Sequence, residues 1–151
     1  MLNAKNARLR LDSSETDYIR FGNGAKTLVM LPGVGDGLKT VRGMALPFAL
    51  LYRSLRKEFT VYVFSRRRDL PAGMTTRDMA EDLSGAMEAL GLARAAVVGV
   101  SQGGMIAQWL AVDHPDKVGK LVLVVTLSRP NETVREAIAG WTKMAERGDF
   151  F

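Results

Sequence analysis

The run Gly99-Val100-Ser101-Gln102-Gly103 sets a serine hydroxyl between two glycines, where a β-branched apolar run over residues 95–100 meets an amphipathic segment that starts at Gln102. A strand that stops and a helix that starts leave Ser101 at the tip of a very sharp turn. Backbone at such a tip is strained, and neighbours carrying a Cβ would collide across it, so Gly99 and Gly103 are the residue types the turn demands. The helix also aims its free N–H groups and positive dipole end at whatever reacts there, which stabilises negative charge developing on a carbonyl oxygen. This spacing predicts acyl chemistry with Ser101 as the nucleophile.

A serine hydroxyl is a weak nucleophile at neutral pH and needs a base, with a third group to orient that base. The one histidine, His114, lies in Asp113-His114-Pro115-Asp116, thirteen positions after Ser101. A helix rising 1.5 Å per residue puts it roughly 17 Å or more away, so its expected role is to complement the helix dipole. Glu132 follows the next apolar strand and reads as a first-turn helix residue. With no cysteine and one histidine, neither thiol catalysis nor a metal-ligand cluster is available, and no metal and no cofactor is expected.

The elements that must position Ser101 follow from periodicity. Residues 8–11 and 18–21 read as short strands about a Ser13-Ser14-Glu15 turn, and residues 27–31 form an apolar run after Gly22-Asn23-Gly24. Phe48, Leu51, Tyr52, Leu55 and Phe59 recur at helical spacing, with Pro47 in the first turn. Thr75 and Asp78 open a further helix as a capping box, its stripe being Met79, Leu83, Met87 and Leu90, and Gly91 closes it. The methionines there are core filling. A strand over residues 121–126 precedes a loop at Ser128-Arg129-Pro130-Asn131 and a last helix with the stripe Val134, Ile138 and Trp141. Strands alternating with helices specify a largely parallel sheet with right-handed crossovers.

Taken with its flanking strand and helix, the serine motif resembles that of the α/β-hydrolase superfamily, and the likeness runs over essentially the whole chain. Residues 28–34 (Leu-Val-Met-Leu-Pro-Gly-Val) look like the family's strand and oxyanion turn, residues 61–66 its next strand, and residues 120–126 the strand after the elbow helix. The resemblance implies an α/β fold: a mostly parallel sheet with an N-terminal antiparallel hairpin, residues 1–127 as core and residues 128–151 as the start of a helical cap, within which the chain is truncated. It implies an oxyanion hole from the backbone N–H groups of Val34 and Gln102. Relatives often carry His-Gly where this chain has Pro32-Gly33, which leaves both backbone donors intact. The family draws its acid and histidine from later strands, so the implied function is a serine hydrolase acting on an ester or related acyl bond, feeble as a 151-residue chain. The alternative is a hydrolase-like binding module without catalysis, or a fragment that pairs with a partner chain.

Composition sets the outer bounds. The chain is 47% hydrophobic and 25% charged, as soluble globular proteins are, and no apolar run of about 18 residues is present to span a membrane. Residues 1–10 alternate polar and apolar types unlike a signal peptide, so a cytoplasmic setting is expected. The net charge is +5, and the one dense basic run, Arg66-Arg67-Arg68, lacks interleaved aromatic residues. No nucleic acid and no membrane partner is expected; these arginines read as a solvated loop or as a contact for an acidic substrate group. The loop from Gly33 to Thr40 misses a phosphate-binding pattern because Leu38 occupies a glycine position, and it fails as a dinucleotide fingerprint for the same reason. Asp36 within it reads as a solvated turn residue. A small-molecule acyl substrate is the expected ligand. Self-association, or pairing with a complementing C-terminal segment, is expected from an open sheet edge and the Phe150-Phe151 end.

Overall fold

A computed structural model describes residues 2–11, 14–37 and 39–149. Six strands, β1 (Lys5–Leu11), β2 (Ser14–Phe21), β3 (Lys26–Leu31), β4 (Phe59–Arg67), β5 (Ala95–Val100) and β6 (Val118–Val124), form one sheet in the order β1-β2-β4-β3-β5-β6. β1 pairs with β2 and β2 with β4 in antiparallel fashion, while β4, β3, β5 and β6 are parallel. The mostly parallel sheet with its N-terminal hairpin is therefore present as the sequence implies. The Ser13-Ser14-Glu15 turn is not: Ser14 and Glu15 lie in β2, paired with Leu11 and Arg10, and Ser13 lies outside the described residues.

Alternation along the strands sorts the core onto two faces. Val29, Leu31, Phe64 and Val97 pack against Leu83 and Met87 of α2 (Thr76–Ala89) and Ile106 and Leu110 of α3 (Gln102–Asp113). Leu28, Val61, Val63, Ile19 and Phe21 pack on the other face against Ala45 and Ala49 of α1 (Ala45–Leu51). Helices thus cover both faces. α2 opens on the anticipated capping box between Thr75 and Asp78, and Gly91 follows it with φ 67°.

The helical periodicity over residues 48–59 overreaches. α1 ends at Leu51, which is 73% exposed, Leu55 falls in a one-turn 3-10 segment (Leu55–Lys57), and Phe59 opens β4. The cause is tertiary: the Asn23 and Lys26 amides donate to the carbonyls of Arg56 and Glu58, and Gly24 passes so close that a Cβ on it would lie 1.9 Å from the Glu58 carbonyl carbon. This contact draws the chain out of the helix and into the sheet.

β6 begins at Val118, three residues before the anticipated start, because Val118 pairs with Ala95. It forms one edge of the sheet. Leu121, Val122, Leu123 and Val124 are each more than a third exposed. α4 (Glu132–Arg147) is N-capped by Asn131, whose side chain accepts from the Val134 amide at 3.0 Å, and buries no residue. Among the described residues no helix is long and apolar enough to cross a membrane.

Candidate active site

β5 carries the chain to Ser101 and α3 carries it away from the next residue, so one peptide must reverse direction between them. Ser101 adopts φ 52° and ψ −120°, a region that L-residues rarely occupy. Its amide donates to the Val124 carbonyl at 2.9 Å, which ties the turn to the end of β6. Its carbonyl accepts from the Gly104 amide at 2.9 Å and from the Thr126 hydroxyl at 2.7 Å.

The glycines around the serine meet backbone on every side. A Cβ on Gly99 would lie 2.5 Å from the Gly103 carbonyl oxygen, and one on Gly103 would lie 2.2 Å from that of Leu31. Both positions therefore exclude any side chain. Gly104 is hemmed in by a side chain instead, since a Cβ there would fall 2.5 Å from Thr126 Cγ2. Gly104 does carry a signal in the sequence, because a second glycine in the first turn of a helix costs about 1 kcal/mol relative to alanine and so marks a close approach.

Opposite the serine, Pro32 and Gly33 leave β3 and enter a 3-10 turn over Val34–Gly37. This turn faces the serine: a Cβ on Gly33 would sit 3.4 Å from Ser101 Cβ and 3.9 Å from Ser101 Oγ. Gln102 is the first residue of α3, where an amide has no intrahelical acceptor. Among the described residues neither the Gln102 nor the Val34 amide donates a hydrogen bond.

Asp36 is buried, which corrects its reading as a solvated turn residue. Its carboxylate accepts from Ser65 Oγ at 2.7 Å and from the Arg66 amide at 2.9 Å. The reading of Arg66 as part of a solvated loop fails likewise, because its side chain is 5% exposed, lies 3.4 Å from Asp36 and donates through Nη2 to the Pro32 carbonyl at 2.7 Å. Burial pulls the Arg66 guanidinium below its usual pKa, and the neighbouring Asp36 charge opposes that shift. Arg67 also turns inward, 3.6 Å from Asp82, whose own carboxyl burial raises while Arg67 lowers it. Asp36 lies about thirty residues from Ser65 and Arg66, and Arg67 fifteen from Asp82, so no local pattern announces these pairs. The Leu38 reading falls outside the described residues.

His114 caps the far end of α3, where its Nε2 lies 2.8 Å from Glu81 Oε1. The twelve residues of α3 separate it from Ser101 by about 18 Å of helix. Glu132 sits in the first turn of α4. Among the described residues no group of three potential metal ligands converges.

Comparison with known proteins places this geometry. Residues 26–151 match the family model of the alpha/beta hydrolase fold. The chain is 35% identical over 118 residues to the Caulobacter vibrioides protein named "Putative carbamate hydrolase RutD", a match covering 74% of this chain and 41% of that protein. It is 30% identical over 105 residues to a 2-hydroxy-6-oxononadienedioate/2-hydroxy-6-oxononatrienedioate hydrolase of Pseudomonas sp, covering 68% of this chain and 37% of that one. The chain thus spans about two fifths of the length of the curated relatives it matches. Among solved structures, a hydrolase from Pseudomonas aeruginosa PA01 superposes with a TM-score of 0.73 at 24% identity, over 94% of this chain and 56% of that one. A membrane phospholipase A superposes with a TM-score of 0.71 at 24% identity, over 91% and 46%. These two likenesses concern the fold. With the family model matched from β3 onward, the chain belongs to the alpha/beta hydrolase fold family.

Proposed function

We propose that the chain carries the nucleophile half of a serine hydrolase acting on an ester or a related acyl bond. The observation that supports this most is the left-handed backbone of Ser101 at the N-terminus of α3, directly across from the Pro32-Gly33 turn. In this reading Ser101 Oγ attacks the substrate carbonyl carbon and the carbonyl π pair moves onto oxygen. The Val34 and Gln102 amides receive that oxyanion. Collapse expels the leaving group, which takes up a proton, and water then releases the acyl group from the serine. The base that accepts the serine proton comes from outside these 151 residues, since His114 stands at the opposite end of α3.

The relatives' names include a carbamate and an oxo-substituted dioate, both carrying carbonyl carbons open to the same attack, so the leaving group is set by residues around the site. α4, amphipathic and without a buried residue, fits the first helix of a cap over it. One observation favours a second reading, a binding module without turnover: the single histidine is remote from Ser101.

Prolonged labelling at high concentration of a fluorophosphonate probe, which the residual oxyanion-assisted reactivity of a serine without its base still supports, read by intact mass and peptide mapping, separates the two. A single adduct on Ser101 that Ser101→Ala abolishes supports the hydrolase reading. An unlabelled wild-type chain supports the binding module, and an adduct elsewhere overturns the assignment. Turnover of p-nitrophenyl acetate by the chain alone should stay near background, about a thousandfold over water at most, as for triads stripped of a member.

A further inference from the structure

Burying a guanidinium is costly, and apolar residues of similar volume commonly replace a buried ion pair without loss of stability. Arg66 is nevertheless buried, and its hydrogen bonds are few. Among the described residues its Nε and Nη1 find no hydrogen-bond acceptor, and the one hydrogen bond its guanidinium donates goes to the Pro32 carbonyl at 2.7 Å. Its backbone amide donates to Asp36 Oδ2 at 2.9 Å, and the guanidinium lies 3.4 Å from the same carboxylate. One residue of β4 therefore grips the 32–37 turn at two points, its first peptide and its only acidic side chain. Ser65 adds a third through its hydrogen bond to Asp36 Oδ1, and in turn accepts from the Val41 amide at 2.9 Å. The turn has little else to hold it: Gly33, Gly35 and Gly37 lack side chains, and Val34 is 58% exposed.

We propose that Arg66 is a positioning residue for the oxyanion turn, fixing the Pro32 carbonyl and Asp36 so that the Val34 amide stays presented toward Ser101. This role rests on the reading of Ser101 and Val34 given above. Arg66 touches no reacting atom; it acts through the turn. A cavity of about 30 Å³ lies beside it, lined by Ser65, Arg67 and Asp82 among others.

The test has a reporter that does not need activity. Within the turn the Asp36 amide donates to the Gly33 carbonyl and the Lys39 amide to the Gly35 carbonyl. In Arg66→Met these two amides should exchange hydrogen about tenfold faster or more, as expected when a local opening loses a charge-assisted hydrogen bond. The amides of β5 should not change. Unaltered exchange at Asp36 and Lys39, or equal acceleration in β5, overturns the proposal. Arg66→Lys, which keeps the cation and loses the fork, should show the same loosening more weakly and serves if the methionine variant does not fold. A chain that folds with neither residue makes Arg66 a determinant of stability only, and also overturns it. Fluorophosphonate labelling of Ser101 should slow about tenfold in Arg66→Met, a fraction of the loss seen when an oxyanion donor is removed outright. Undiminished labelling with a loosened turn overturns the positioning role. Absence of labelling in the wild type overturns the Ser101 reading instead, while exchange still decides whether Arg66 holds the turn.

Discussion

The Thr126 hydroxyl donates to the Ser101 carbonyl at 2.7 Å, while the same side chain fills the space in front of Gly104. A single residue beyond β6 therefore both satisfies the peptide that leaves Ser101 and sets how closely α3 approaches. Thr126→Val keeps the shape and deletes the donor. It should cost about 1 kcal/mol, the usual worth of one such bond, measured by urea denaturation. An unchanged midpoint would show that the Gly104 amide suffices alone.

Gly103 and Gly85 should respond to alanine with opposite sign. A Cβ on Gly103 meets the Leu31 carbonyl oxygen at 2.2 Å, whereas one on Gly85, within α2, meets nothing within 4 Å. Gly85→Ala should stabilise by up to about 1 kcal/mol through helix propensity. Gly103→Ala should destabilise by about 3 kcal/mol or more, because backbone must move to relieve the overlap. Denaturation midpoints shifting in the same direction would contradict the close approach.

Ser101→Gly should make the protein more stable and abolish its reaction with fluorophosphonates. Relief of a left-handed φ returns about 1–3 kcal/mol, against which the greater freedom of unfolded glycine removes part. A net gain of about 1 kcal/mol in thermal or urea unfolding is expected. A loss of stability would show that the serine side chain contributes contacts that outweigh the strain.

Asp17 should carry part of the acid sensitivity. Burial raises its carboxyl pKa, but hydrogen bonds from Arg8 and Thr40 outweigh that and hold it below its ordinary 3.8. The group is thus more acidic folded than unfolded. Its stabilisation is present above the unfolded value and is lost as pH falls through the lower folded one. Asp17→Asn should cost about 1 kcal/mol at pH 7, a modest figure because Arg8 is a third exposed and solvent screens the pair. The gap to wild type should narrow as pH falls below the ordinary carboxylate range, in thermal melts across pH. A constant gap would remove Asp17 from the acid response.

We also propose that the open edge at β6 drives self-association. Sedimentation velocity should show species larger than monomer at tens of micromolar, and Val122→Lys, placing charge where Val122 is 48% exposed, should reduce them. A wild type that remains monomeric would contradict this.

Much of the site could be read from the sequence because its signals are local. The strand from Ala95 to Val100, the serine at its end, the capping box at Thr75 and Gly91 all lie within a few residues of the partners that explain them. Asp36, Ser65 and Arg66 were misread or passed over, since each finds its partner across about thirty residues, and a charged residue in a glycine-rich loop resembles a solvated one until the strand beside it is known. The end of α1 was lost for a related reason. Its apolar spacing continues to Phe59, but hydrogen bonds from Asn23 and Lys26 take the following residues into the sheet.

Gly103 backs onto Leu31, and Gly104 onto Thr126. The strained serine is therefore clamped between a segment made long before it and one made well after. Neither clamp is local, and non-local contacts form only once the intervening loops have closed. During synthesis the serine would emerge unstrained, its turn taking shape only after β6 and Thr126 have left the ribosome and laid down beside β5. The strained geometry at Ser101 is in this sense a late folding event, and a chain released before Thr126 would hold the motif without the geometry.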